Sequence, residues 1–298
     1  MQNWLIAKTS VIGSGHKAVD LPCQDFCFVS TSEDQQWVSL VVSDGAGSAK
    51  HSAESSKLVS EFFGKSLIDL SDELNSRAPG AWINDFVIEK VIDTRKQLRI
   101  LANSDNLKDY HCTLVACLIG PTGGFLIHIG DGALFGGTYK DIDVVSNSIS
   151  SDIVISEPEN GEYANETFFI TEGDWIKHLR ITPIRPVEWI VLGTDGGTSI
   201  AMVSDKQPKP GVIIPLLKQL NSTDDLSKLD EMLRNVLTDP RADKLTSDDK
   251  TLCFAFKPHK FVDTTVMEPF EDTKEINEIR DPFGKKNKYN IFNFFGRR

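Results

Sequence analysis

The sequence of 298 residues has no long hydrophobic segment and only a small share of basic charge. No window approaches the roughly eighteen apolar residues that a membrane-spanning helix needs. The first residues, MQNWLIAKTSVIG, lack the basic start and long apolar run of a secretory signal peptide. The formal net charge of −11 disfavours a general nucleic-acid-binding surface. These absences predict a globular, cytoplasmic protein with no transmembrane segment and no nucleic-acid partner.

Paired cysteines and two common catalytic motifs are also missing. The five cysteines are scattered without CxxC spacing, namely Cys23, Cys27, Cys112, Cys117 and Cys253. This pattern predicts reduced, mostly buried thiols, and it disfavours a zinc site or a disulfide framework. Neither G-x-S-x-G nor G-x-x-x-x-G-K-[ST] occurs, so neither a serine nucleophile elbow nor a phosphate-binding loop of that type is expected.

The apolar residues follow two alternating periods along the chain. Strands are predicted at 37–42, 113–119, 125–129, 189–193 and 251–256, with another beginning at Ala133. Helices are predicted after a cap at Ser48 or Ser52, and at 82–101, 212–220 and 226–237. The turn between the second and third strands is predicted at 120–124, and residues 146–165 are predicted to be a loop. Strands on both sides of helix pairs favour layered, largely antiparallel sheets over a doubly wound fold.

Acidic residues stand at the ends of several predicted strands. Three strands run into Asp-Gly, in LVVSDGAG at Asp44, IHIGDGAL at Asp131 and WIVLGTDGGT at Asp195. One Asp-Gly alone would indicate a tight turn, because the pair suits positive backbone torsions. Two further sites precede strands, at Asp25 and at 248–249. Carboxylates gathered at one end of a sheet repel one another and are costly to bury, so the recurrence predicts a shared cation.

The residue types at these positions indicate the kind of cation. All candidate ligands are oxygen donors, and no histidine or cysteine stands beside them at metal-binding spacing. Oxygen-only ligand sets favour hard ions such as Mg²⁺ or Mn²⁺ over zinc or copper. In each of the three Asp-Gly pairs, the glycine has no side chain and so leaves room for a carbonyl group or a water molecule near an ion.

The ordered set of motifs resembles that of the metal-dependent protein phosphatases of the 2C type. GSGHKAVDLPCQD is similar to the first acidic motif of that family, and VVSDGAGSAKHSAESS is similar to the second. HCTLVACLI with FLIHIGDGALF, and then VLGTDGGT, resemble the central and late motifs. SDDKTLCF resembles the final motif, with Asp249 in the place of an asparagine. The resemblance covers approximately residues 10–256, and an ordered set is far more specific than one match.

The resemblance implies an α+β fold, a four-layer αββα sandwich of two packed, mainly antiparallel sheets flanked by helices. It assigns residues 1–260 to the phosphatase domain and 261–298 to a C-terminal extension. The end of that extension, 282–298, contains five basic and five aromatic residues and no acidic residue. Such a tail could dock on the acidic body, bind a partner or an anionic membrane surface, or stay partly ordered.

The resemblance also implies roles for individual residues. Asp44 would bridge two Mg²⁺ or Mn²⁺ ions, and Gly45 would contribute its carbonyl oxygen. Asp195 and Asp248 would bind one ion, and Asp25 would reach the other directly or through water. A further residue, Asp131, matches a weaker additional site, although the position four residues after Asp195, acidic in many relatives, is Ser199.

The implied reaction is hydrolysis of phosphoserine and phosphothreonine on proteins by a metal-activated water, opposing a cognate Ser/Thr kinase. The sequence departs from the pattern of some relatives at two positions that matter for this reaction. Ala46 stands where some relatives have a proton-donating histidine, which leaves His16 as the nearest candidate; a loop histidine bonded to backbone is an equal alternative for His16. No arginine stands just before Asp25. The second function class is therefore a catalytically weak relative that binds phosphoproteins or regulators.

Overall fold

The computed structural model describes residues 3–159 and 167–261 of the chain. The strands of these ranges are β1 Leu5–Val11, β2 Phe26–Thr31, β3 Val38–Ser43, β4 Leu114–Gly120, β5 Gly123–Ile129, β6 Ala133–Gly137, β7 Ile142–Asp143, β8 Ser148–Ile149, β9 Val154–Ser156, β10 Arg180–Ile184, β11 Trp189–Gly193, β12 Met202–Ser204, β13 Gln207–Pro208 and β14 Lys250–Phe256. The helices are α1 Ser14–Ala18, α2 Ser52–Ile68, α3 Leu70–Ser76, α4 Trp82–Ala102, α5 Trp175–His178, α6 Asp195–Ala201, α7 Pro210–Ser222 and α8 Leu229–Leu237.

Two five-stranded sheets form the centre of the described residues. The first sheet has the order β1-β14-β11-β6-β9, and the second has the order β10-β5-β4-β3-β2. Neighbouring strands in both sheets are antiparallel. Two small hairpins, β7-β8 and β12-β13, lie outside the sheets. The chain passes from the second sheet to the first between β5 and β6, so this crossing contains Asp131.

Successive side chains of each strand point to opposite faces of its sheet, and this alternation produces three apolar layers. In β3, Val38, Leu40 and Val42 pack between the two sheets, whereas Val41 packs on the opposite face against helices. The outer face of the second sheet is covered by α2 and α4, and that of the first by α7 and α8. The period of two places successive side chains on opposite faces, which is why each central strand feeds two layers. The predicted αββα sandwich is confirmed.

Helix α2 lies close to the second sheet because its inner face carries small residues. Ser56 donates a hydrogen bond from Oγ to the Gln24 carbonyl, and Ser60 donates to the Phe26 carbonyl over 3.3 Å. A Cβ atom on Gly64 would lie 2.7 Å from the ring of Phe28, nearer than carbon atoms approach. Buried hydroxyls with partners avoid the cost of unsatisfied polar groups. The close contact fixes α2, and with it the loop that follows β3.

Most predicted elements are confirmed, and three details are wrong. The predicted cap at Ser48 or Ser52 is wrong, since His51 precedes α2 and makes no side-chain cap hydrogen bond. The turn between β4 and β5 is shorter than predicted, because strand pairing continues to Gly120 and Gly123. The predicted loop at 146–165 contains β8 and β9 within its described part.

All five cysteines are free thiols, and four of them are buried, as predicted. Phe261, the first residue of the predicted extension, packs edge-on against the ring of Tyr139 with centroids 5.5 Å apart. The basic and aromatic tail at 282–298 lies outside the described residues. Within the ranges that the structure describes, no helix has the length and apolar character needed to cross a bilayer.

Candidate metal centre

Strand registers bring the predicted acidic residues to one end of the sandwich. In the second sheet Phe26, the first residue of β2, pairs with Ser43, the last residue of β3. Asp25 comes just before this pair and Asp44 just after it, so both lie at the same end of the sheet. In the first sheet Ala133 pairs with Gly193 and Gly193 pairs with Leu252, which places Asp131, Asp195 and Asp248 at the same edge. We call these five residues, Asp25, Asp44, Asp131, Asp195 and Asp248, the acidic cluster.

Asp25 is a buried member of the acidic cluster, and a hydrogen bond to its carboxyl group links the two sheets. It is only 4% exposed, and its Oδ2 accepts a hydrogen bond from Thr194 Oγ1 over 2.7 Å. The Thr194 hydroxyl also accepts a hydrogen bond from the Thr251 N–H over 3.2 Å. Burial raises the pKa of Asp25 well above its usual range, and the charges of Asp249 and Asp195 raise it further.

Asp44 is held by its backbone at the end of β3. Its N–H donates to Thr113 Oγ1 over 2.9 Å, and its carbonyl accepts from the Thr113 N–H over 2.8 Å. Burial is the main cause that raises the pKa of its carboxyl group well above the usual range, and the negative charges of Asp25, Asp195 and Asp131 raise this pKa further. The backbone of Asp44 is therefore fixed while its carboxyl group faces other carboxyl groups.

Gly45 is required by close packing. A Cβ atom at this position would lie 2.7 Å from the carbonyl oxygens of Gln24 and Ser52. Both contacts are with backbone, which cannot rotate away as a side chain does. The residue also forms a β-bridge with Cys112. Packing alone thus accounts for glycine after Asp44.

Asp195, Asp131 and Asp248 form the outer side of the acidic cluster. Burial raises the pKa of Asp195 to about 6, and the charges of Asp131 and Asp248 contribute in the same direction. Burial also raises the pKa of Asp131, although a hydrogen bond from Thr167 Oγ1 to its Oδ2 opposes the shift. The other oxygen of Asp131 is buried and has no hydrogen-bond partner within the described part of the chain. Asp248 is exposed to solvent.

The electrostatics of the acidic cluster suit a cation. No lysine, arginine or histidine among residues 3–159 and 167–261 forms an ion pair with any of its five carboxyl groups. Their repulsion and the unpartnered oxygen of Asp131 would both be relieved by a hard divalent ion. In those same ranges no three His, Cys, Asp or Glu side chains form a ready metal-binding group. An ion here would therefore need backbone or water oxygens as well, as Mg²⁺ commonly does.

Asp249 turns away from the acidic cluster and binds the segment around His16. It is 2% exposed, and its Oδ1 accepts a hydrogen bond from the Gly13 N–H over 2.7 Å. Its Oδ2 accepts from the Gln24 N–H over 2.6 Å and lies 2.8 Å from His16 Nδ1. The alternative of a backbone-bonded His16 is thus wrong for Nδ1. Both oxygens of Asp249 already accept from backbone N–H groups, so we take Nδ1–H as the donor in this pair.

The free nitrogen of His16 faces the loop after Asp44. Both His16 Nε2 and Gln24 Oε1 lie 3.9 Å from the point where a Cβ atom on Gly47 would stand. The oxygen of Gln24 is buried and has no hydrogen-bond partner among the described residues. The histidine side chain is 16% exposed, so solvent or a ligand can reach it. The structure therefore places His16 beside the acidic cluster with one nitrogen held and one nitrogen available.

Four supporting residues were not found from the sequence. Thr194 and Thr167 donate to carboxylates of the acidic cluster, Thr113 holds the backbone of Asp44, and Gln24 lies buried beside His16. Thr194 and Gln24 carried a signal, since each stands directly before an aspartate of the acidic cluster in its motif. Thr113 and Thr167 act through contacts between distant parts of the chain.

Comparison with known proteins gives consistent matches over most of the chain. The profile of the family described as "Protein phosphatase 2C" matches residues 12–237. The chain is 28% identical over 264 residues to serine/threonine-protein phosphatase 3 of Escherichia coli strain K12. The aligned region covers 85% of this chain and 98% of that protein.

Solved structures share the fold at lower sequence identity. The S. agalactiae serine/threonine phosphatase superposes with a TM-score of 0.59 at 14% identity, covering 85% of this chain and 99% of the other. A bacterial serine phosphatase superposes with a TM-score of 0.55 at 14% identity, covering 88% and 100%. At such identities the likeness establishes the sandwich fold.

Proposed function

The chain belongs to the protein phosphatase 2C family, and from this membership we propose that its acidic cluster is a two-metal centre for hydrolysing phosphoserine and phosphothreonine on proteins. Protein serine/threonine phosphatase activity is that of the E. coli relative. The observation that carries the proposal is the convergence of five carboxyl groups, unpaired with any described cationic side chain, at one end of the sandwich. Structural ion pairs do not explain such an arrangement.

Within this proposal, Mg²⁺ or Mn²⁺ is held by the acidic cluster. Asp44 lies against the charges of Asp25, Asp131 and Asp195, which supports its role as the residue shared by both ions. Asp195 and Asp248 would hold one ion, and Asp25 the other, with the Gly45 carbonyl contributing. Asp131, with its unpartnered oxygen, would serve an additional site. The bound ions would supply an activated water and neutralise the phosphoryl oxygens.

The reaction also needs a proton at the leaving oxygen. Water adds to phosphorus, the bond from phosphorus to the serine or threonine oxygen breaks, and that oxygen takes up a proton. We assign this proton donation to His16 Nε2. Asp249 holds the ring from the other side and its carboxylate compensates the charge of an imidazolium. Ala46, which has no titratable group, takes no part.

A phosphatase of this kind needs a source of phosphorylated protein and a cellular compartment in which to act. A phosphatase acting on phosphoserine requires a kinase that makes it, so a Ser/Thr kinase is the expected functional partner. Five free cysteines, with no disulfide, are typical of proteins in a reducing compartment, which supports the cytoplasm.

The test is hydrolysis of a phosphoserine peptide by the purified chain, with Mn²⁺ and with a chelator. Turnover that requires Mn²⁺, and that falls by about a hundredfold or more in Asp44→Asn and Asp195→Asn, supports the proposal. The matched control is Asp72→Asn, which removes an exposed carboxylate on α3, at the opposite end of α2 from Ser52, the residue that lies against Gly45. An inactive wild type that nevertheless binds the phosphopeptide would favour the weak, phosphoprotein-binding alternative.

A further inference from the structure

A cavity of about 310 Å³ lies beside the acidic cluster without including any of its five residues. Its apolar wall is formed by Pro158, Met202, Val203 and Leu245, and its polar wall includes Ser199 and Asp205. Val203 is 60% exposed and Leu245 is 44% exposed. These two large side chains give the cavity an apolar wall that is open to solvent.

Three walls of the cavity are joined to segments that carry the acidic cluster. Ser199 Oγ donates to the Asp195 carbonyl over 2.9 Å, and four residues of α-helix rise only about 6 Å. Leu245 precedes Asp248 by three residues, which span about 11 Å at most. Pro158 adjoins a residue, Glu159, whose N–H donates to the Gly130 carbonyl over 2.9 Å, next to Asp131.

These spans, about 6 Å along α6 and at most about 11 Å along the chain from Leu245 to Asp248, are comparable with two to three residues of an extended peptide. Each residue of such a peptide advances about 3.3–3.6 Å. A side chain one or two positions from a phosphorylated serine at the acidic cluster would therefore reach the cavity. The free aryl phosphates used in simple assays would not, because they carry no flanking residues.

The charge of the cavity restricts what it accepts. Asp205, in the turn between β12 and β13, is the one charged residue of its described lining, and it has no ion pair among the residues described. The next residue, Lys206, is already paired with Glu157 at 3.4 Å. An apolar wall with a carboxylate at its edge fits a side chain that has an apolar stem and a cationic end.

We propose that this cavity is a specificity subsite for a lysine or arginine one or two positions from the phosphorylated residue of the substrate. The proposal rests on the proposed phosphatase function and names a feature of its substrates. The stem of the basic side chain packs on Val203 and Leu245, and its cation pairs with Asp205. The formal charge of −11 on the whole chain also favours basic over acidic peptides.

The test compares phosphoserine peptides that differ only in having Lys, Leu or Glu at each flanking position. For at least one position, kcat/KM for Lys should exceed that for Glu by about five- to tenfold at low salt. The preference should shrink to about twofold at high ionic strength, because the pair is exposed. Asp205→Asn should reduce it to about twofold at low salt, and Leu245→Ala should raise KM for the Lys peptide about threefold.

Controls separate the subsite from the catalytic centre. Both variants should keep the wild-type rate on p-nitrophenyl phosphate and the wild-type melting temperature, and Asp72→Asn should keep the full peptide preference. Equal rates on all peptides, a preference for Leu, or a Lys preference that stays at the wild-type level in Asp205→Asn would each overturn the subsite while leaving the phosphatase function intact. A wild type inactive on p-nitrophenyl phosphate with Mn²⁺ would overturn both.

Discussion

Asp249 Oδ2 and His16 Nδ1 lie 2.8 Å apart, although 233 residues separate them in the chain. The pair ties the start of β14 to α1 and directs the other ring nitrogen of His16 toward the loop after Asp44. A family resemblance assigns Asp249 to the place of an asparagine, and an asparagine oxygen could not accept all three of the hydrogen bonds that Asp249 accepts here.

His16→Ala should slow hydrolysis according to the leaving group. An alkyl oxygen, as in phosphoserine, needs a proton when its bond to phosphorus breaks, whereas p-nitrophenolate leaves without one. We expect a loss of about a hundredfold or more on a phosphoserine peptide and less than about tenfold on p-nitrophenyl phosphate. Steady-state kinetics on both substrates measure this.

A merely structural role for His16 would lower both rates equally. His51→Ala is the matched control, because His51 Nδ1 lies 2.7 Å from Glu54 Oε2 at the start of α2, and among the described residues His51 forms no hydrogen bond or ion pair with the acidic cluster. Equal losses on the two substrates in His16→Ala would contradict the assignment.

Asp249→Asn should destabilise the fold. The amide group would present N–H groups where the carboxylate oxygen now accepts, so a buried N–H of Gly13 or Gln24 would lose its partner. Loss of a buried hydrogen bond to a charged group costs about 2–3 kcal/mol. Urea denaturation should show that decrease in the free energy of unfolding, while Glu73→Gln, which breaks an ion pair with Arg77 in which both side chains are about half exposed, should cost less. An unchanged unfolding midpoint for Asp249→Asn would refute the structural role.

Gly45→Ala should impair both stability and turnover. The added Cβ would meet the backbone of Gln24 and Ser52 at 2.7 Å, so the loop carrying Asp44 must shift. Overpacking of this kind costs about 1–3 kcal/mol, and a shift of a metal ligand by about 1 Å costs about a hundredfold in rate. Gly173→Ala, where a Cβ meets nothing within 4 Å, is the control and should be silent. Differential scanning calorimetry and peptide turnover check both effects, and wild-type values for Gly45→Ala would show that the close contact does not matter.

The stability of the protein without added ions should fall as pH rises from 5 to 7. The pKa of Asp195 is raised to about 6, so its contribution is fully present below the unfolded pKa of about 3.9 and is lost as pH rises through about 6. Mn²⁺ should remove this loss, because an ion stabilises the charged carboxylates. Melting temperatures with chelator and with Mn²⁺ at several pH values measure the difference. A pH profile that Mn²⁺ does not alter would speak against ion binding by these groups.

Much of the acidic cluster was predictable because each carboxylate adjoins a strand end within a short motif. The sequence did not indicate β1 or β10. In β1 the inward residues Ala7 and Thr9 are small, and Lys8 and Ser10 alternate with them, so the apolar period is weak. In β10 a proline, Pro183, interrupts a strand at the edge of its sheet, where β5 is its one partner among the described strands.

Contacts between distant segments could not be read from local patterns. Thr194 and Asp25 belong to motifs 169 residues apart, and their hydrogen bond depends on how the two sheets pack. The same is true of the cavity beside Ser199, whose walls come from three separate segments. Strand periodicity fixes which face a residue takes, but the packing of one sheet on the other decides which residues meet across it.

The number of Mn²⁺ ions that the chain binds, measured by isothermal titration calorimetry, tests the two-metal centre most directly. We expect two tight sites per chain in the wild type and loss of both in Asp44→Asn, because Asp44 would be shared by the two ions. Asp72→Asn should bind as the wild type does. A wild type that binds no Mn²⁺, or an Asp44→Asn variant that binds both ions unchanged, would contradict a two-metal centre at the acidic cluster.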